Sequence, residues 1–163
     1  MSTLAVVVHD CAVAAIRNTV AAIDTFFGEY TRRISGLRSR LSLSKTAVDR
    51  LPISAATASL KTAVTHVGTA IEMAAALVTN MGKTRRAALL LLPDTLASLV
   101  DKFGSTAPST QTVCSKVEAI LSPQIASFVN ELNATKSTVD ARVQGLAQAL
   151  QEIEKALASF QVS

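Results

Sequence analysis

The 163-residue chain is long enough to bury a real core in one domain, and six glycines and four prolines are too few for an all-β chain with its many turns. Hydrophobic residues reach 49%, much of it alanine, while aromatics are only 4%, which suits helices packed at close range better than a sheet. The formal charge of +4 gathers between Arg32 and Arg50, where Arg32, Arg33, Arg38, Arg40, Lys45 and Arg50 face one acid, Asp49. Such a run can meet anionic head groups or nucleic acid, but a solvated helix face is the plainer reading. Nucleic acid is the weaker functional option: there is no tryptophan, Tyr30 is the single tyrosine, and no aromatics interleave with the basic residues.

The first element is predicted from Val13, Ile16, Val20, Ile23, Phe27, Tyr30, Ile34, Leu37 and Leu41, spaced alternately by three and four. That is the seam of one long amphipathic helix in a left-handed bundle. The opposite face carries Asn18, Thr25, Arg32, Ser39 and Thr46. Gly28 and Gly36 weaken the helix but leave its phase intact, and Pro52 stops it or starts the next one. Before this seam, the apolar run Leu4–Val8 gives way to His9 and Asp10, so it is too short for a signal-peptide core. No continuous apolar run reaches the roughly 18 residues that span a bilayer, so no transmembrane segment is expected.

A second tract begins near Ser54, with Leu60, Val64, Val67, Ile71, Ala74, Val78 and Met81 on its seam. Gly82, Lys83, Arg85 and Arg86 then read as a helix C-terminus, where cations favour the dipole. Leu89, Leu92, Leu96, Leu99 and Phe103 resume out of register, with Pro93 and Asp94 as a second break. Residues 104–110 are the plainest loop in the chain.

The third tract runs through Val113, Val117, Ile120, Leu121, Ile125, Phe128, Leu132, Val139, Val143, Leu146, Leu150, Ile153, Leu157 and Phe160. Pro123 should kink or restart it, with Ser122 as N-cap. The expected fold is therefore all-α, a single domain over 1–163. It is an antiparallel bundle of long amphipathic helices, three tracts broken into about five helices. A three-helix rod, roughly 75 Å per tract at about 1.5 Å per residue, is the alternative to this compact form. The phase breaks at Gly82–Arg86 and Pro123 are the expected places for a pocket or hinge.

No chemistry-bearing motif passes on spacing. His9, Asp10 and Cys11 are adjacent, and neighbours on a helix point about 100° apart. His66 has no second ligand three or four residues away, so no metal site is expected. Gly82-Lys83-Thr84 lacks the earlier glycine and the strand of a phosphate-binding loop. Glu152 and Glu154 lie on different faces of a helix. Neither an enzyme nor a cofactor is expected. Cys11 and Cys114 permit one disulfide, but Cys11 falls on the polar face by the seam count, so two independent small helix residues are the favoured reading. Asn133-Ala134-Thr135 is a glycosylation acceptor that matters only in a secreted protein.

The run Val117-Glu118-Ala119-Ile120-Leu121-Ser122-Pro123-Gln124-Ile125, followed by Phe128, Leu132, Lys136 and Asp140, resembles the later half of fungal hydrophobic surface-binding proteins and related cell-wall mannoproteins. Shared features are an aliphatic–Pro–Ile step, a Leu-rich helix, a lysine and a closing helix. The stretches Ala12–Phe27 and Leu60–Met81 are compatible with the earlier helices. The missing signal sequence and the long first seam depart from that pattern. The resemblance implies a secreted helical bundle that binds fatty acids or coats apolar surfaces. The protein is then secreted or cell-wall associated if a signal peptide has been removed, and cytoplasmic otherwise.

Such a bundle can hold an acyl chain in a slot between helices. Phe27, Ile71, Val78, Phe103, Phe128 and Leu132 are the candidate lining. The competing expectation is a structural or oligomerising module in which the same seams meet protein, with Arg17, Asp24 and Arg38 selecting the partner.

Overall fold

A computed structural model describes residues 3–103 and 109–162. It is an all-α bundle of three helices, α1 (Thr3–Asp49), α2 (Ala55–Leu90) and α3 (Thr110–Val162), with a 3-10 segment, Leu92–Phe103, after α2. The chain divides into two compact units. Met1–Phe26 with Met81–Thr135 form unit 1, and Phe27–Asn80 with Lys136–Ser163 form unit 2. The expected loop at 104–110 lies mostly outside the described residues.

The helix count is lower than the five expected, and each discrepancy has a physical cause. Gly28 and Gly36 do not interrupt α1, because both face outward and a Cβ on either would meet nothing within 4 Å. Gly82 does not end α2. Its buried series, Val64, Val67, Ile71, Ala74 and Val78, passes through half-buried Met81 and Arg85 to Leu89. Three steps from Val78 to Leu89 cover eleven residues, a local stutter that the helix absorbs by a slight change of winding. Arg85 thus occupies a seam position, which makes the phase look broken in sequence. Pro123 lies inside α3 without restarting it. It is exposed, as is Ala119, whose carbonyl loses its N–H partner there, so water can take that place.

The break at Pro93 does occur: α2 stops at Leu90, and the chain tightens into the 3-10 segment, where Thr95 Oγ1 donates to the Leu92 carbonyl at 2.6 Å. Twelve residues is long for this geometry. The segment keeps Leu92, Leu96 and Leu99 buried.

The starts of α2 and α3 are capped by hydroxyls. Ser54 Oγ accepts from the Thr57 amide at 3.2 Å while Thr57 Oγ1 accepts from the Ser54 amide at 2.9 Å, a reciprocal capping box with threonine in the third position. Ser109 Oγ accepts from the Thr112 amide at 3.2 Å, so the cap of α3 is Ser109 and not Ser122.

In unit 2 the three helices run up, down and up. Arg38 of α1 meets Glu72 of α2, whereas Tyr30 and Arg40 meet Asp140 and Glu154 of α3. Ile34, Leu37, Val64, Val67, Ile71, Val143, Leu146 and Leu150 fill its core. In unit 1, Val8, Ala12, Ile16 and Ile23 bury with Leu89, Leu96, Val113, Val117 and Leu121.

Cys11 and Cys114 are joined by a disulfide inside unit 1, with Cα atoms 5.1 Å apart. The seam extrapolated from Val13 places Cys11 outside, but near its start α1 buries Val8, Ala12, Ile16 and Thr19. Steps of four, four and three give a period nearer 3.67 than 3.5, and the buried stripe turns toward Cys11. Val13, expected on the seam, is 37% exposed.

Candidate apolar-ligand site

The six residues expected to line a slot do not gather in one place. Phe27, Ile71 and Val78 are buried in unit 2, and Leu132 is buried in unit 1. Phe103 and Phe128 are half-buried in unit 1, where the Lys116 ammonium stands 5.6 Å over the Phe103 ring.

Unit 1 has a cavity of about 540 Å³ between the first turns of α1 and the 3-10 segment. Ala5, Val6, Val8 and His9 line one side, and Pro93, Asp94 and Val100 the other. Five of these seven are aliphatic, and none of the six expected lining residues is among them. The space arises because a 3-10 segment advances faster per residue than an α-helix and carries a different side-chain pitch. Its side chains therefore cannot interlock evenly with the ridges of α1. The polar contribution comes from His9, whose Nδ1 lies 3.8 Å from Asp10 Oδ1, and from Asp94. Val6 is 41% exposed at the cavity, and the exposed Leu90 and Leu91 immediately precede the segment that lines it.

Sequence reasoning names Pro93 only as a break and places pockets at Gly82–Arg86 and Pro123. Neither of those is an interruption. Arg85 instead spans to α3, donating to Glu131 at 2.7 Å and to buried Thr135 Oγ1 at 3.0 Å, and Arg86 donates to Asp24 at 3.0 Å. Thr135, the last residue of the glycosylation triplet, thus faces inward.

Unit 2 has a shallower groove of about 650 Å³ lined by Leu41 and Lys45 of α1 and by Val64, Thr65, Gly68, Thr69, Glu72, Met73 and Ala76 of α2. Gly68 and the threonines keep its α2 wall low, and Met73 is 64% exposed. Glu72 closes one end through a two-pronged pair with Arg38, at 2.6 and 3.0 Å. The hydrogen bonds from Arg38 hold the Glu72 carboxyl below the ordinary glutamate range, and the same bonds raise the Arg38 guanidinium.

The basic run is partly engaged within unit 2. Arg33 pairs with Asp140 at 3.1 Å, Arg38 with Glu72 and Arg40 with Glu154 at 2.5 Å, so half of the six cations already face acids. The charge is also unevenly divided. Unit 1 carries six basic and six acidic residues, and unit 2 ten and six, so the whole +4 belongs to unit 2.

Among the described residues no three His, Cys, Asp or Glu side chains group as metal ligands. Gly82-Lys83-Thr84 is helical, and Glu152 and Glu154 pair separately, with Lys155 and Arg40. By length and hydropathy alone, Leu4–Asp49 and Ala55–Phe103 each hold an 18-residue window apolar enough to cross a membrane, a property that a search for unbroken apolar runs does not register. Core helices of a bundle pass the same test. No protein family, curated protein or solved structure matches the chain.

Proposed function

We propose that the protein binds lipid, fatty acid or another apolar molecule or surface without catalysis, and that the unit 1 cavity is where the apolar part enters. The cavity itself carries this reading: about 540 Å³ falls inside the roughly 300–1,000 Å³ of small-ligand pockets, and its walls are mostly aliphatic. Each methylene withdrawn from water there contributes about 0.8 kcal/mol. The exposed Val6, Leu90 and Leu91 give an approaching micelle or bilayer an apolar lip. The Cys11–Cys114 disulfide favours an oxidising compartment, which fits a secreted or cell-wall protein of the hydrophobic surface-binding kind.

Native mass spectrometry before and after organic extraction tests the reading. The expected result is a non-covalent adduct that extraction removes and that incubation with an alkyl amphiphile restores. A protein that neither carries nor takes up any amphiphile removes the proposal. The second reading, a helical interaction module, draws on the unit 2 groove, where exposed Met73 and small neighbours offer a seat for a partner helix. Self-association that Met73→Glu abolishes, in protein free of lipid, is the outcome that favours it.

A further inference from the structure

Resting on the apolar-ligand reading, we propose that the unit 1 cavity selects an amphiphile with a cationic head, such as an alkylammonium, over a fatty-acid carboxylate. The polar groups of the cavity decide this. Asp94 supplies a carboxylate, and among the described lining residues there is no lysine or arginine. His9 is the other polar group, and beside it stands the carboxylate of Asp10, at 3.8 Å from its Nδ1. Asp101 follows Val100 directly in the chain. The cationic side chains nearest in sequence are Lys102, Arg86 and Arg17; Arg86 is paired with Asp24, and Lys116 is occupied over the Phe103 ring.

An alkyl chain seated among Ala5, Val6, Val8, Pro93 and Val100 leaves its head beside Asp94. A carboxylate head there meets a like charge, whereas an ammonium head finds an opposite one. The positive charge of the whole chain does not oppose this, because unit 1 has no net charge. A quaternary ammonium also keeps its charge at every pH and needs no hydrogen-bond acceptor, so an open carboxylate is enough to hold it.

The test is displacement of the neutral fluorophore N-phenyl-1-naphthylamine from the intact, oxidised protein at low ionic strength. The competitors are dodecyltrimethylammonium, dodecanol and dodecanoate, each below its micelle concentration. The ammonium should displace at about tenfold lower concentration than the carboxylate, with the alcohol between them, since one partly screened charge contact is of that order. Asp94→Asn, a change at an exposed side chain, should remove most of the difference between ammonium and carboxylate. Ala5→Phe, which fills the cavity, should weaken all three.

Equal displacement by the ammonium and the carboxylate, or a preference unchanged in Asp94→Asn, overturns the head-group proposal and leaves the apolar-ligand reading standing. Binding unchanged in a folded Ala5→Phe variant moves the ligand elsewhere and overturns the site. Failure of the fluorophore and all three amphiphiles to bind removes the apolar-ligand reading itself.

Discussion

The Tyr30 hydroxyl donates a hydrogen bond to Asp140 Oδ1, across 110 residues of sequence, and the same carboxylate oxygen accepts from Arg33 Nη1 at 3.1 Å. Arg33 in turn stands over the Tyr30 ring, 5.0 Å from its centre. Tyr30 is only 1% exposed, so this small network sits at the edge of the unit 2 core and ties α1 to α3.

Tyr30→Phe keeps the ring and its contact with Arg33 but removes the phenolic donor to a charged acceptor. Chemical denaturation should show a loss of about 1.5–2 kcal/mol. Asp140→Ala should cost more, because it removes the acceptor of both the Tyr30 hydroxyl and Arg33. A Tyr30→Phe variant as stable as the parent rules out this bond as a stabilising contact.

The Cys11–Cys114 bridge closes a separation of 103 residues. Restricting the unfolded chain over such a loop is worth at most about 4.7 kcal/mol, and native disulfides commonly return about 2–4. Cys11→Ala with Cys114→Ala should therefore lower the melting temperature by roughly 4–16 °C. The parent should lose the same amount on reduction, which calorimetry with and without reductant can read.

Gly28 and Gly36 face open space in the middle of α1, so alanine gains helix propensity at no steric cost. Each substitution should stabilise by about 0.5–1 kcal/mol, and the two should add. Gly68→Ala should gain less, since its Cβ would meet Leu41 Cδ2 at 3.2 Å and Leu41 must turn into the groove. Thermal melts of the three single variants and the Gly28/Gly36 double provide the ranking.

Arg85 can be tested by shape as well as charge. Its side chain is 23% exposed and fills a seam position, so Arg85→Ala should destabilise by about 2 kcal/mol or more through lost packing and an unpaired Thr135 hydroxyl. Arg85→Met keeps the volume and should recover the packing share of that loss, while the Thr135 hydroxyl goes without its arginine donor in both variants. Equal losses in the two variants would point to charge instead of packing.

The Arg38–Glu72 pair sets a sign for pH. The folded carboxyl of Glu72 lies below its unfolded value, so its contribution is present above the ordinary glutamate range and is lost as pH falls through the lower folded value. The stability gap between the parent and Glu72→Gln should be constant near neutrality and close in acid. Both side chains are well exposed, so the gap should be small and should shrink with added salt.

Much of the fold was legible because aliphatic residues recur at three and four from Ile16 to Leu41, from Leu60 to Val78 and from Val139 to Leu157, and only packed helices need that pattern. The breaks misled for a shared reason. Strict heptad counting cannot register an eleven-residue step, so Arg85 looked like a terminus and Cys11 like a surface residue. Pro123 is tolerated because it faces solvent, which composition does not disclose. The cavity was hidden more deeply. Val8 and Val100 are ordinary aliphatics, and only the switch from α to 3-10 winding after Leu90 leaves space between them. Pro93 marked that switch, although nothing in its type announced a cavity.

Aliphatic seams of this kind are nearly interchangeable along their length, so a helix displaced by one heptad would still bury leucine and valine. Tyr30 removes that degeneracy. Moving α1 seven residues toward the C-terminus of α3 sets the hydroxyl opposite Ala147, which offers no side-chain acceptor, and sets Ile23 against the charge of Asp140; the opposite shift sets Leu37 against that charge. The lost bond to Asp140 and the desolvated carboxylate together penalise the displaced alignment. One hydrogen bond therefore counts for more than its share of stability: it selects a single alignment from a ladder of near-equals.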